Sequence, residues 1–431
     1  MGECQKTTLA NGLRILTTSM PHTRSVSVGF YLRVGSRYES DEEAGAAHFI
    51  EHMLFKGTER RPTPGAIAIE IEGRGGVFNG QTGREVTHYW ARVAQPHFHA
   101  ALEVLCDMLR HSLFTPPEVE RERRIIVEEL NMAHDQPDSL VSLLINQLSW
   151  PDHPLGRDIA GSKASISCLQ REQLLAFKER FYSPPNMVVS VAGAAEHEAV
   201  VQALAPLLGD WRGSLAVQFQ PAPAPPACPV ARRQFKDTMQ AHVVLRVPGL
   251  PRSHPDRFAL TLLNTILGVG MSSRLFLQLR ERLGLAYAVD SSIAFLADTG
   301  VMESYAALEP AHSEATVRAI LCEWKRVREE PVQRSELQRA KEFTKGRLLL
   351  GLEGSMAVAG WWGEQELLEG DVLTADEVID RVDAVTVSDL QRLAQQCFVG
   401  RRLGLAIVGP LQDETAFHSL LGEAQDLLPL N

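Results

Sequence analysis

Asn186-Met-Val-Val-Ser-Val-Ala-Gly193 and Arg402-Leu-Gly-Leu-Ala-Ile-Val-Gly409 are two short apolar runs that lie 216 positions apart. Each is closed by glycine and followed by an amphipathic stretch, and near-continuous apolar runs of this length read as buried strands. The same offset carries Leu174, Phe177 and Phe181, a helical stripe before the first run, onto Leu390, Leu393 and Cys397 before the second. Element order and offset agree, which predicts a duplicated unit. Between the copies, Gln218-Phe-Gln-Pro-Ala-Pro-Ala-Pro-Pro-Ala-Cys-Pro229 holds five prolines and no apolar period, the mark of an extended linker. The expected division is a first domain over 1–215, a linker over 216–232 and a homologous second domain over 233–431.

Working outward from the first run, Leu13-Arg14-Ile15-Leu16 and Val26-Ser-Val-Gly-Phe-Tyr-Leu-Arg-Val34 flank Pro21-His22-Thr23 and read as strand, turn, strand. A helical period then runs from about Glu42 to Phe55, with Gly57 as its stop. Helices are predicted at about Pro64–Gly73, Pro96–Leu113 and Glu118–Ala133, with a strand near Val86–Val93. Several adjacent strands have short connections. The fold class is therefore α+β: two homologous sandwich-like halves, each a mixed, largely antiparallel sheet covered by helices on one face.

Composition bounds the function. The chain of 431 residues is 45% hydrophobic and 22% charged, enough for two globular cores. A formal charge of −10 argues against a nucleic-acid surface and favours cationic partners such as basic peptides. The start, Met1-Gly2-Glu3-Cys4-Gln5-Lys6-Thr7-Thr8, has no signal-peptide character, and no apolar run approaches the roughly 20 residues of a membrane span. The six cysteines are far apart, which predicts a reduced, cytoplasmic protein and argues against a cysteine metal site.

The chemistry centres on Ala47-His48-Phe49-Ile50-Glu51-His52-Met53. Residues four apart share a helix face, so His48 and His52 can reach one ion, with Glu51 at the margin of that face. This order, His-x-x-Glu-His, inverts the commoner metallopeptidase motif. Two imidazoles and a carboxylate with one open position suit zinc, and manganese or cobalt fit the same donors. A third ligand should come from another helix. Glu118-Val-Glu-Arg-Glu-Arg-Arg-Ile-Ile-Val-Glu-Glu-Leu-Asn-Met-Ala133 follows Pro116-Pro117 and offers several carboxylates. Glu122 and Glu129 share one stripe, whereas Glu128 is turned by about 100° from Glu129, so only one of that pair can face the histidines.

His48-Phe-Ile-Glu-His-Met-Leu-Phe-Lys-Gly-Thr58 resembles the inverzincin (M16) family of peptidases, which contains the mitochondrial processing peptidase β subunit, pitrilysin and insulin-degrading enzyme. The resemblance implies a third ligand 76 intervening residues after the second histidine, which selects Glu129, and a supporting glutamate seven residues earlier, which falls on Glu122. It implies Glu51 as the base for the attacking water, one zinc ion per chain, and an orienting rather than ligating place for Glu122. Val77-Phe-Asn-Gly-Gln-Thr-Gly-Arg-Glu-Val-Thr-His-Tyr-Trp-Ala-Arg-Val93 reads as a strand entered through Gly75-Gly76. It resembles the family's Asn-Ala-x-Thr-Ser-x-Glu-x-Thr edge strand, where Asn79 and Gly80 would contact a peptide added as a further strand. Gly80 and Gly83 depart from the family's alanine and serine.

In the second copy, Gly268-Val-Gly-Met-Ser-Ser-Arg-Leu-Phe276 and Arg280-Glu-Arg-Leu-Gly-Leu-Ala-Tyr-Ala-Val289 resemble family segments in which Arg280 and Tyr287 take the substrate-contacting positions. This copy has no His-x-x-Glu-His and reads as the metal-free half that completes the substrate site. The resemblance extends from Thr8-Leu-Ala-Asn-Gly-Leu-Arg-Ile15 to the strand near Val408. It implies an endopeptidase acting on short unfolded peptides or on leader peptides. Because both residue sets lie on one chain, it also implies a homodimer, with a heterodimer as the other arrangement. The alternative function is a non-catalytic scaffold subunit of a larger peptidase or respiratory-type complex.

Overall fold

The computed structural model describes residues 3–214, 218–370, 372–411 and 415–429, so the expected boundary at 215–216 lies outside the described residues. Two compact units form: one from 1–130, 157–220 and 349–373, the other from 131–156, 221–348 and 374–431. A division of the sequence at 215 and 233 does not contain this arrangement, because each unit takes a segment from the other half of the chain.

The first unit is built on strands β1 (Cys4–Thr8), β2 (Arg14–Ser19), β3 (Ser25–Leu32), β4 (Val77–Thr82), β5 (Thr87–Ala94) and β6 (Met187–Gly193), in the order β1-β2-β6-β3-β5-β4. Only β2 and β6 pair in parallel. The second unit has β7 (Val230–Phe235), β8 (Ala241–Pro248), β9 (Ala286–Phe295), β10 (Gly300–Leu308) and β11 (Gly404–Gly409), ordered β7-β11-β8-β10-β9. Here too a single pair, β7 with β11, is parallel. Leaving β1 aside, the two sheets match strand for strand, as duplication predicts. The stripe residues at the 216 offset also hold: Leu174, Phe177 and Phe181 are buried in helix Arg171–Phe181, and Leu390, Leu393 and Cys397 in helix Val387–Cys397.

Three sequence expectations are corrected. First, neither sheet is covered on one face alone. Strand β6 is buried at every position, which requires cover on both sides. The second face of the first sheet, with Leu16, Tyr31, Val188 and Ala192, packs against Val358, Ala359, Trp362 and Leu367 of helix Ser355–Leu368. In the second unit, helix Pro137–Ser149 does the same, placing Leu140, Val141, Leu144 and Ile145 on Val244, Ala406 and Val408. Second, 77–93 is a hairpin rather than one strand. Gly83 donates its N–H to the Val86 carbonyl at 2.7 Å and turns the chain from β4 into β5. Third, the helix read from Glu42 begins at Ala46. The buried Glu39 carboxylate accepts the N–H groups of Gly45 and Ala47, both at 2.8 Å, and so holds the first turn in place. Gly45 enters with φ of 94°, and a Cβ there would stand 2.6 Å from the Ala160 carbonyl oxygen. The linker 218–229 has no regular element, and β7 takes up residues 230–232.

No helix among the described residues is long and apolar enough to cross a membrane. Trp362 is 5% exposed, and truncating such a residue removes its burial and leaves a cavity. Trp362→Ala is expected to lower the unfolding free energy by about 3–5 kcal/mol in a urea titration. A change below about 1 kcal/mol would show that the helix does not seal that face.

Candidate metal centre

Helix Ala46–Leu54 buries Ala46, Ala47, Phe49, Ile50, Met53 and Leu54 in the core of the first unit. That apolar stripe turns His48, Glu51 and His52 to the other side of the helix. Helix Pro116–Asp135 buries Val119, Glu122, Ile126 and Leu130 along one stripe and brings Glu129 to the margin of the same stripe. The two helices meet so that donor atoms of His48, His52 and Glu129 lie within 4.8 Å of one another. Glu129 Oε2 is 3.5 Å from His52 Nε2 and 3.9 Å from His48 Nε2. Donors around a tetrahedral zinc stand about 3.3–3.4 Å apart, so a small inward adjustment closes the set.

The donor chemistry fits a divalent ion. Glu122 Oε2 stands 3.0 Å from His52 Nδ1, which makes Nδ1 the protonated nitrogen and leaves the Nε2 lone pair for a metal. Lys56 Nζ lies 2.9 Å from the other oxygen of the same carboxylate. Burial opposes the charge on Glu122, but the hydrogen bonds from His52 and Lys56 prevail and hold it below the usual carboxylate range. His48 is different. Its Nδ1 is buried without a partner among the described residues, and burial, followed by the nearby His52, lowers its pKa to about 4. It is therefore a neutral imidazole at pH 7, the form that ligates.

Glu51 sits beside the triad. Thr82 Oγ1 donates to its Oε2 at 2.5 Å. Burial pushes the Glu51 carboxyl above the usual range, against the Thr82 hydrogen bond and the nearby His52, while Glu129 adds to the rise. That direction suits a base that takes and returns a proton near neutral pH. Asn79 and Gly80 lie on β4, the edge strand of the sheet, where Asn79 Oδ1 accepts the Gly80 N–H at 2.9 Å.

Arg280 and Tyr287 belong to the second unit. Arg280 lies in the π-helical turn Phe276–Arg282, a conformation frequent at functional sites. Its guanidinium carbon is 5.3 Å from the centroid of the Tyr287 ring, and Tyr287, on edge strand β9, is 72% exposed. Glu128 is exposed and stands outside the donor cluster. Sequence reasoning missed Glu39, Lys56 and Thr82. Lys56 and Thr82 both fall inside the segments that carry the family resemblance, but nothing in their spacing assigned them a partner.

Two outcomes follow. Glu122→Ala should weaken zinc binding about 10–100-fold in competition with a chromogenic chelator; unchanged affinity would remove Glu122 from the site. His48, with its folded pKa near 4, binds fewer protons folded than unfolded (about 6.5) between those values. Stability of the metal-free protein should therefore fall as pH drops from about 6.5 to about 4. Urea midpoints across that range should flatten in His48→Gln, and an equal slope in the variant would contradict the assignment.

The first half of the chain matches the family description Insulinase (Peptidase family M16) over residues 14–163, and 169–343 match Peptidase M16 inactive domain. An uncharacterized zinc protease of Streptomyces coelicolor is 36% identical over 426 residues, covering 96% of this chain and 92% of that protein. One of Bacillus subtilis is 33% identical over 414 residues, covering 94% and 97%. A protease from Helicobacter pylori shares the fold with a TM-score of 0.89 at 23% identity, over 95% of this chain and all 100% of that one. A chain of Complex III2 from Candida albicans shares it with a TM-score of 0.83 at 19% identity, over 97% and 99%. Matched end to end by such relatives, and by two family domains in their order, the chain belongs to peptidase family M16.

Proposed function

We propose that the protein is a zinc-dependent endopeptidase that hydrolyses short unfolded peptides or leader peptides. The observation that carries this reading is the convergence of His48, His52 and Glu129, with Glu51 beside them. In this reading His48 and His52 present their Nε2 atoms, and Glu129 its Oε2, to one zinc per chain. Bound zinc would supply a Lewis acid for the peptide carbonyl and acidify a water toward neutrality. Glu51 takes the proton of the attacking water and returns it to the leaving amine. Glu122 keeps His52 in its ligating tautomer and neutralises part of the charge brought to the site.

The peptide is held as an extra strand on β4, whose free edge carries Asn79 and Gly80. Arg280 and Tyr287 are assigned to the substrate, by a guanidinium and a hydroxyl suited to main-chain carbonyls. A homodimer is the assembly this reading carries, since one chain holds both residue sets. The cytoplasm is its compartment, in keeping with six cysteines that stand free.

A quenched-fluorescence peptide library offered to the zinc-loaded protein tests the function. Broad cleavage supports degradation, one narrow sequence supports processing, and a metal-free, inert protein would return the scaffold reading. Glu51→Gln should keep its zinc and lose about 10²–10⁴-fold in kcat; turnover retained in that variant would remove Glu51 as the base.

A further inference from the structure

The carboxylate of Glu51 is held from outside its own helix. Thr82, the last residue of β4, is 9% exposed, and its hydroxyl donates to Glu51 Oε2 at 2.5 Å. The hairpin also sets which main-chain groups of β4 point outward. Gly83 bonds Val86 across the hairpin at 2.7 Å, and in an antiparallel pair the main-chain groups of successive residues point alternately toward and away from the partner. Those of Thr82, Gly80 and Phe78 therefore face the free edge of β4. At Gly80 the outward N–H is taken by Asn79 Oδ1 at 2.9 Å, so a strand added along β4 has to displace that contact.

Gly80 contributes space to the same arrangement. A Cβ at this position would stand 3.0 Å from Glu51 Cγ and 3.1 Å from Tyr89 Cδ1, so the bare glycine leaves the Glu51 stem where Thr82 sets it.

We infer that Thr82 is a positioning residue: its hydroxyl fixes the Glu51 carboxylate beside the His48, His52 and Glu129 cluster. This rests on the zinc-peptidase reading for its chemistry, and on the Thr82–Glu51 contact alone for its structure.

The test compares zinc-loaded wild type, Thr82→Val, which keeps the β-branch and loses the hydroxyl, and Thr82→Ser, which keeps the hydroxyl. Thr82→Val should lose on the order of 10- to 100-fold in kcat through displacement of the base, with zinc affinity and KM unchanged, and Thr82→Ser should regain most of the loss. A loss carried by zinc affinity or KM, a wild-type kcat in Thr82→Val, or equal impairment in both variants overturns the inference. Crystal structures of the three zinc-loaded proteins give a readout without turnover. Glu51 should keep one position in wild type and Thr82→Ser and leave it in Thr82→Val; an unmoved carboxylate in Thr82→Val overturns the inference. If zinc-loaded wild type cleaves no peptide, the peptidase reading fails, and the crystallographic comparison still decides the role of Thr82. Thr82→Ala serves in the same comparison if the valine variant does not fold.

Discussion

Glu122 has 1% of its side chain exposed and is nonetheless held in its charged form. An isolated carboxylate at such depth would be strongly disfavoured. What offsets the cost is a pair of donors from one short stretch of chain, His52 Nδ1 and Lys56 Nζ. Turning either helix about its axis would leave a buried charge unpaired, a change that typically costs about 3–5 kcal/mol. The rotation of helix Pro116–Asp135 against helix Ala46–Leu54 is thereby fixed. Glu129, two turns further along on the same side, then has to arrive at the histidines.

The same contact sets the character of the two histidines. His52 is oriented by a charged partner, so its ring and tautomer are settled before any ion arrives. His48 has no such partner on Nδ1 and is kept neutral by burial. One imidazole is thus prepared by an anion and the other by exclusion of water. At the other side of Glu51, Thr82 of the hairpin β4–β5 holds the carboxylate proposed as the base, on the strand proposed to receive a peptide.

Beneath the site, the fold solves a problem that its central strands create. β6 and β11 are buried along their whole length, and a sheet with such strands must be covered on both faces. The helices that follow in sequence cover one face of each sheet. The second face is covered by a helix taken from the other half of the chain: Ser355–Leu368 in the first unit and Pro137–Ser149 in the second. Duplicated halves therefore do not form two contiguous units.

Much of this was legible in the residues themselves. Periodicity placed His48 with His52 and Glu122 with Glu129, because faces repeat every 3.6 residues along a helix. The 216-residue offset revealed the duplication, and the glycine-ended apolar runs marked its buried strands. The choice of Glu129 over Glu128 needed the family's spacing, since one helix alone presents both. Tertiary structure alone decided that 77–93 folds back as a hairpin, that Glu39 starts the metal helix at Ala46, and that Thr82 and Lys56 find Glu51 and Glu122. It also decided which helix closes which sheet. The reason is physical: a repeating backbone writes the faces of each element into its own sequence, whereas a contact between elements depends on how whole faces pack and leaves no period behind.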